Sequence, residues 1–114
     1  MKDDRLYLIR ILECLSRIEQ YTSEGKDTFM RDLKTQDAVL RNLQTLAEST
    51  QRVSANLKSA HQEVEWSKIA GFRNVLVHEY LGVNLVRVWE IIQHGLPELK
   101  KQVTAILKEL GEPS

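Results

Sequence analysis

Apolar side chains recur along this chain at intervals of three and four residues, the spacing of one face of an α-helix. The first such stretch runs to about residue 21, with apolar positions at Leu8, Ile11, Leu15 and Ile18. Asp3 or Asp4 can cap its beginning, and Gly25 is suited to closing it. The pattern therefore predicts an amphipathic first helix.

A second long helix is predicted after a short helical turn around residues 29–33. Its apolar positions advance by four, three, four, three and four residues, and they are Val39, Leu43, Leu46, Thr50, Val53 and Leu57. This repeat is typical of a seam between packed helices. We expect this helix to lie in the centre of a bundle.

Residues typical of helix ends predict three further helices in the second half of the chain. The third should span residues 64–81 and end at Gly82, a residue suited to a helix C-terminus. Asn84 can cap a fourth, which we expect to end at His94 and Gly95, and Pro97 fits the first turn of a fifth. No strand-like alternation is present, so we predict an all-α antiparallel bundle of four to five helices forming one domain over residues 1–114, with 111–114 as a flexible tail.

Composition agrees with a folded domain. The chain has 114 residues, of which 42% are hydrophobic and 28% charged, within the usual range for a globular protein. Cys14 is the single cysteine and cannot form an internal disulfide. The first residues resemble no signal peptide and no apolar run is long enough to span a membrane, so we expect a cytoplasmic protein without a membrane partner.

The charge balance limits how the protein could bind nucleic acid. Sixteen basic and sixteen acidic side chains give a formal net charge of zero, which argues against binding by bulk electrostatics. The segment 58–94 also has no net charge, because it contains four Lys and Arg residues and four Glu residues. Any contact with a nucleic acid must therefore be local.

Arg73 interrupts the apolar face predicted for the third helix. At 100° per residue, that face consists of Trp66, Ile69, Ala70, Leu76, Val77, Tyr80 and Leu81. A guanidinium near its centre needs either a partner or access to solvent. It could pair with a carboxylate such as Glu48 and hold two helices in register, or it could face a groove and bind a phosphate bidentately.

Three neighbours of Arg73 could take part in chemistry with it. Asn74 can orient a group, Tyr80 carries a phenolic donor, and His78 can move protons near neutral pH. An isolated histidine is more often an ordinary hydrogen-bonding residue, and an ideal helix places Arg73 and His78 about 140° apart. They could converge within one chain or across a symmetric dimer.

The other reactive side chains fit structural roles. His61 is expected at the surface and His94 at a helix end, while Trp66 and Trp89 are expected to anchor the core. Cys14 lies on the core side of its helix, which favours inert packing. The chain contains no phosphate-binding glycine loop, nucleophile elbow or zinc-binding pattern, so we predict no metal site and no cofactor.

The segment 66–80 resembles the HepT-like toxins of the HEPN superfamily. Their motif is Arg, four residues, His, one residue, Tyr, and it corresponds to Arg73, His78 and Tyr80, with Asn74 accompanying it. Further similar positions are Trp66, Ile69, Gly71, Trp89, Leu96, Pro97 and Leu99, and in the second helix Asp37, Arg41, Asn42, Leu43 and Glu48. One departure is Ala47-Glu48-Ser49, where many relatives have Gly-Glu-Ala.

The resemblance implies a HEPN-like bundle and a function. Such proteins are toxins of type VII toxin–antitoxin pairs, acting as metal-independent endoribonucleases on RNA such as tRNA or mRNA. The implied site lies at a homodimer interface, with Arg73 and His78 catalytic and with Asn74 and Tyr80 supporting them. The implied partner is an MntA-like nucleotidyltransferase antitoxin, which in some pairs adenylylates the tyrosine corresponding to Tyr80.

A second function class stays open. The chain could be a non-catalytic helical module that binds a nucleotidyltransferase or a nucleotide and keeps the motif for structure. The zero net charge favours this alternative, whereas the intact Arg73, His78 and Tyr80 set favours the ribonuclease. A short nucleotidyltransferase gene beside this one would support the ribonuclease.

Overall fold

The computed structural model describes residues 2–73 and 84–111, and all regular elements in these segments are helical. In chain order they are α1 Lys2–Tyr21, α2 Lys26–Arg31, α3 Leu33–Arg52, α4 Ala55–Ala60, α5 Trp66–Ala70, α6 Leu85–Glu90, the π-helical turn π1 Ile91–Gly95, and α7 Leu96–Gly111. The prediction of an all-α bundle is therefore confirmed.

The three long helices α1, α3 and α7 form the body of the bundle. Near the start of α1, Asp4 binds Ser54 just beyond the end of α3, so these two helices run antiparallel. Near the end of α1, Glu19 accepts a hydrogen bond from Lys100 in the first turn of α7, at 3.0 Å. Helix α1 is thus antiparallel to both of its long neighbours.

The core consists of the apolar positions that the sequence pattern singles out. Leu8, Ile11, Leu15 and Ile18 on α1 are fully buried. All six positions of the predicted seam are buried as well. Phe29 from α2 fills the space between them and lies 5.4 Å from Trp89, measured between ring centroids. The buried Trp89 confirms its predicted role as a core anchor.

Asp4 differs from its predicted role as a helix cap. Helix α1 already begins at Lys2, and the Asp4 side chain is buried inside it. Its carboxylate accepts hydrogen bonds from the backbone N–H of Ser54 at 2.8 Å and from the Ser54 hydroxyl at 2.7 Å. Asp4 therefore ties two distant segments together.

The predicted seam is divided between two helices. Val53 has an extended backbone, with φ −65° and ψ 140°, so α3 ends at Arg52. The Ser54 hydroxyl then accepts a hydrogen bond from the N–H of Leu57 and caps α4. Val53 and Leu57 still reach the core, which explains why the apolar repeat continues across the break.

Glycine adopts a left-handed backbone at one connection. Helix α1 ends at Tyr21, and Gly25, with φ 98°, directly precedes α2. Glycine reaches this conformation at little cost because it has no Cβ. The turn predicted at Gly25 is present, and the residue serves as the entry to α2.

The predicted helix end at His94 and Gly95 is wrong. Glu90 and Leu96 both have right-handed helical dihedrals, and π1 joins α6 to α7 without a break. A π-helical turn is closed by hydrogen bonds between residues five apart, one more than in an α-helix, so the helix takes up one extra residue here and continues.

Gly111, predicted to lie in a flexible tail, is buried within α7. Residues 112–114 lie outside the described segments.

Within the described segments, no helix combines the length and the apolar character that crossing a membrane requires.

Candidate active site

Helix α5 lies just before the motif residue Arg73, and two hydrogen bonds hold the connection that leads into it. The indole N–H of Trp66 donates to the carbonyl of His61 at 2.9 Å. Gln102 on α7 donates to the carbonyl of Glu63 at 3.0 Å. The side chain of Val64, in the same connection, is buried. Trp66 is partly buried and anchors the connection before α5. Helix α5 begins at Trp66, whereas the sequence predicted a helix that begins at residue 64.

Arg73 is exposed, which corrects its predicted place near the centre of an apolar face. Helix α5 ends at Ala70, Gly71 forms a turn, and the backbone is helical again at Phe72 and Arg73. Gly71 keeps right-handed helical dihedrals, φ −68° and ψ −14°, and its N–H donates to the carbonyl of Ser67 at 2.9 Å. Phe72 takes the buried position, and the next side chain, Arg73, points outward.

The pairing of Arg73 with Glu48 is not found. Arg73 forms no ion pair with any carboxylate in the described segments, and Glu48 lies 3.5 Å from the amide of Gln44 on its own helix. Both side chains are exposed. None of the carboxylates in the described segments therefore pairs with Arg73 as the first interpretation requires.

Asn74, His78 and Tyr80, the other candidate site residues, lie outside the described segments, as does Gly82. Their convergence with Arg73 therefore stays a prediction. Asn84, where the second described segment begins, accepts a hydrogen bond from the N–H of Arg87 through its side chain and caps α6 as predicted.

A groove runs between α5 and the continuous helix formed by α6, π1 and α7. It consists of two adjoining cavities of about 330 Å³ and 280 Å³ that share Lys68, Phe72, His94 and Gly95. The smaller cavity is further lined by Arg87, Glu90 and Ile91, and the larger by Glu63, Glu65, Ile69, Glu98, Leu99 and Gln102. We call the two together the interhelix groove. Phe72 lines both cavities and immediately precedes Arg73.

No pattern in the sequence indicated that the charged residues of this groove lie together. Lys68, Arg87 and His94 belong to three different elements, so no periodic pattern connects them. His94 was predicted at a helix end, but it lies within π1 and faces the groove from an exposed position. A short apolar helix followed by His and Gly gives no sequence signal for a π turn.

His61 is also more buried than predicted. Its side chain is 15% exposed and lies between two carboxylates, with Nδ1 3.3 Å from Glu63 and Nε2 3.4 Å from Glu109. It thereby connects the segment before α5 to the end of α7. This position supports a structural role for His61 in holding the candidate site.

Cys14 has the packing role that its position predicted. Its thiol is buried, and burial raises its pKa, although Arg17 and Arg10 lower it. A buried thiol with a raised pKa is a poor nucleophile. In the part of the chain that the structure describes, no cluster of three or more His, Cys, Asp or Glu side chains could hold a metal ion.

Comparisons with other proteins find relatives along most of this chain. A family model described as Ribonuclease HepT-like matches residues 11–106. A protein of Caldanaerobacter subterraneus subsp. tengcongensis whose name includes RNase is 38% identical over 96% of this chain and 98% of its own length. The mRNA nuclease HepT of Shewanella oneidensis is 27% identical over 87% of this chain and 92% of its own length.

One relative is longer than this chain. A Methanocaldococcus jannaschii protein, whose name joins gamma-glutamylcyclotransferase and RNase, is 32% identical over 97% of this chain, which spans half of that protein's length. No solved structure matches the chain significantly. The family match covers most of the described helices and includes the position of the exposed Arg73, and on this basis the chain belongs to the ribonuclease HepT-like family.

Proposed function

We propose that this protein is a metal-independent endoribonuclease that acts as the toxin of a type VII toxin–antitoxin pair. Its family membership and the relative named as an mRNA nuclease support RNA as the substrate. The observation that carries the proposal is the exposed Arg73, which has no ion-pair partner in the described segments. A guanidinium in this state is available to bind a phosphate.

The chemistry requires few protein groups because RNA carries its own nucleophile. A base removes the proton of the 2′-OH, the 2′ oxygen attacks the adjacent phosphorus, and the bond from phosphorus to the 5′ oxygen breaks. The leaving 5′ oxygen takes a proton, and the products are a 2′,3′-cyclic phosphate and a 5′-OH. His78 is the proposed base or acid, and Arg73 stabilises the charge that develops on the phosphoryl oxygens.

A homodimer would supply the second proton-transfer group. One His78 can act as base or as acid at a given moment, whereas this reaction needs both. Two copies facing one cleft would bring two histidines and two arginines to one phosphate. Asn74 would orient the phosphate or the imidazole.

The proposed partner is an MntA-like nucleotidyltransferase that inactivates the toxin at Tyr80. Transfer of AMP to the phenol forms a phosphodiester at Tyr80 and releases pyrophosphate from ATP. The attached phosphate would compete with RNA for Arg73, because both bind a guanidinium in the same way. Mass spectrometry of the toxin co-expressed with such an enzyme tests this, since increments of one AMP should disappear in Tyr80→Phe.

The nuclease assignment is tested with purified wild type, Arg73→Ala and His78→Ala on an end-labelled RNA. We expect each variant to cleave about 100-fold more slowly or worse, the typical loss for one group that stabilises developing charge. Arg17→Ala is the matched control, because Arg17 is exposed on α1 and does not line the interhelix groove. Cleavage should persist in EDTA and leave 2′,3′-cyclic phosphate ends.

Two results would contradict the proposal. Cleavage by His78→Ala at the wild-type rate would remove His78 from the reaction. A wild type that cleaves no RNA but binds a nucleotidyltransferase would favour the non-catalytic interaction module instead.

A further inference from the structure

The interhelix groove has an uneven distribution of charge along its length. Among the described residues, the smaller cavity is lined by Lys68, Arg87 and His94 and by one carboxylate, that of Glu90. The larger cavity adds Glu63, Glu65 and Glu98, and its described lining contains no Lys, Arg or His besides the shared Lys68 and His94. One end of the groove therefore favours anions and the other end disfavours them.

The basic side chains at the first end are available for a ligand. Arg87 and His94 form no ion pair with a carboxylate in the described segments. Lys68 lies 3.5 Å from Glu65, but both side chains are more than 60% exposed, at 64% and 73%. An exposed pair of this kind contributes little and is easily exchanged for a stronger anion.

The backbone that presents these cations is well anchored. Arg87 lies in α6, whose first turn is capped by Asn84 and whose Val88 and Trp89 are buried in the core. His94 is placed by π1, and π turns inside α-helices are often found at functional sites. Trp89 also packs on Phe29, so the helix that carries Arg87 and His94 is fixed against α2.

Phe72, which lines both cavities of the groove, is the residue directly before Arg73 in the chain. The smaller cavity, at about 280 Å³, is close to the lower limit of about 300 Å³ for small-molecule pockets. It therefore suits one nucleotide-sized group of an extended strand. A folded partner domain would need a larger surface.

We propose that the cationic end of the interhelix groove, formed by Lys68, Arg87 and His94, binds a backbone phosphate of the RNA strand that flanks the phosphate held by Arg73. This inference rests on the proposed ribonuclease function and extends it to a substrate-binding subsite. The Lys and Arg side chains supply charge, and the imidazole of His94 supplies an N–H donor. The acidic end directs the strand, because Glu63, Glu65 and Glu98 repel the next phosphate.

RNA binding by variants of the groove tests the proposal. A fluorescein-labelled single-stranded RNA of mixed sequence is titrated with protein carrying His78→Ala, which keeps the RNA intact, and anisotropy is followed at several salt concentrations. We expect Lys68→Ala, Arg87→Ala and His94→Ala each to weaken binding about fivefold, within the range for a charged contact at a partly exposed site. The Lys68→Ala/Arg87→Ala double variant should lower the slope of log Kd against log salt by about 0.7 per lost phosphate contact.

The matched control is Lys34→Ala/Arg17→Ala, which removes the same two residue types at exposed positions of α3 and α1 that do not line the groove. It should bind RNA like the parent protein. Glu90→Gln removes the one carboxylate at the cationic end and should strengthen binding about twofold. Thermal unfolding of each variant verifies that it is folded.

The outcomes separate this inference from the function on which it rests. If the wild type cleaves RNA but the groove variants bind like the control, the subsite is refuted and the nuclease stands. Equal weakening by the groove and control pairs would mean that binding follows total charge, which also refutes the subsite. If the wild type neither binds nor cleaves RNA, both proposals fail.

Discussion

Replacement of Asp4 by alanine should destabilise the whole bundle, although Asp4 is far from the candidate site in sequence. The Asp4 carboxylate is buried and accepts two short hydrogen bonds from Ser54, from its N–H and its hydroxyl. Ser54 in turn caps α4 by accepting a hydrogen bond from Leu57. The start of α1 thus stabilises the break between α3 and α4.

The size of the effect follows from these two bonds. A hydrogen bond to a charged group contributes about 1.5–3 kcal/mol, but water can partly replace the carboxylate at the half-buried Ser54. We therefore expect Asp4→Ala to lower the free energy of unfolding by about 2–4 kcal/mol, or Tm by roughly 8–15 °C for a domain of this size. Asp4→Asn keeps one acceptor and should cost less.

The effect should depend on pH in a defined direction. Burial raises the pKa of the Asp4 carboxyl, but the interactions that favour its ionised form, foremost the hydrogen bonds from the Ser54 hydroxyl and backbone, together outweigh burial, so its pKa lies below the usual value. A lowered folded-state pKa contributes stability above the unfolded pKa of about 4, and this stability is lost as the pH falls through the folded pKa. The difference between wild type and Asp4→Asn should therefore be largest at pH 7 and shrink towards pH 3.

Urea unfolding followed by circular dichroism at pH 7, 5 and 3 measures these quantities. Asp37→Ala is the control, because Asp37 is an exposed aspartate within α3 and should change stability by less than about 0.5 kcal/mol. An Asp4→Ala protein as stable as the control, or an Asp4→Asn difference that stays constant between pH 7 and pH 3, would refute the reasoning.

Three further predictions concern the core and the connection that holds α5. Phe29→Ala removes a fully buried ring that packs on Trp89, and should cost about 3–5 kcal/mol in chemical unfolding. Trp66→Phe loses the hydrogen bond to the carbonyl of His61 and should cost about 1 kcal/mol, whereas an unchanged Tm would argue against that bond. Cys14 should react slowly with a thiol reagent in the native protein and rapidly in urea, because burial raises its pKa; fast native labelling would contradict this.

The fold was largely predictable because apolar periodicity reports burial directly. The seam from Val39 to Leu57 was identified residue by residue, and all of its members are buried. The helix break at Val53 was not predicted, since it depends on a hydrogen bond from Ser54 to Asp4, a residue 50 positions away. The continuity through π1 was missed for a similar reason, because His94 and Gly95 resemble a helix end locally and only packing keeps them helical.

Candidate site residues could be proposed from the sequence, but their arrangement in space could not. Arg73 stood out as a charge on an apolar face, and the structure places it at an exposed position next to the buried Phe72. The charged groups of the interhelix groove come from α5, α6, π1 and α7, which no local pattern connects. They come together because these elements pack on one core, to which the buried Phe72 and Trp89 belong.

A net charge of zero is compatible with an RNA substrate in a protein of this kind. Electrostatic attraction in physiological salt is screened over about 8 Å, so a phosphate responds to the charges in its immediate surroundings and hardly to the total. Lys68, Arg87 and His94 line one cavity, while carboxylates such as Glu48 and Glu109 contribute to the balance from outside the groove. A nuclease with this arrangement should bind RNA weakly away from its site, and its affinity should depend on a few cations and not on surface charge in general.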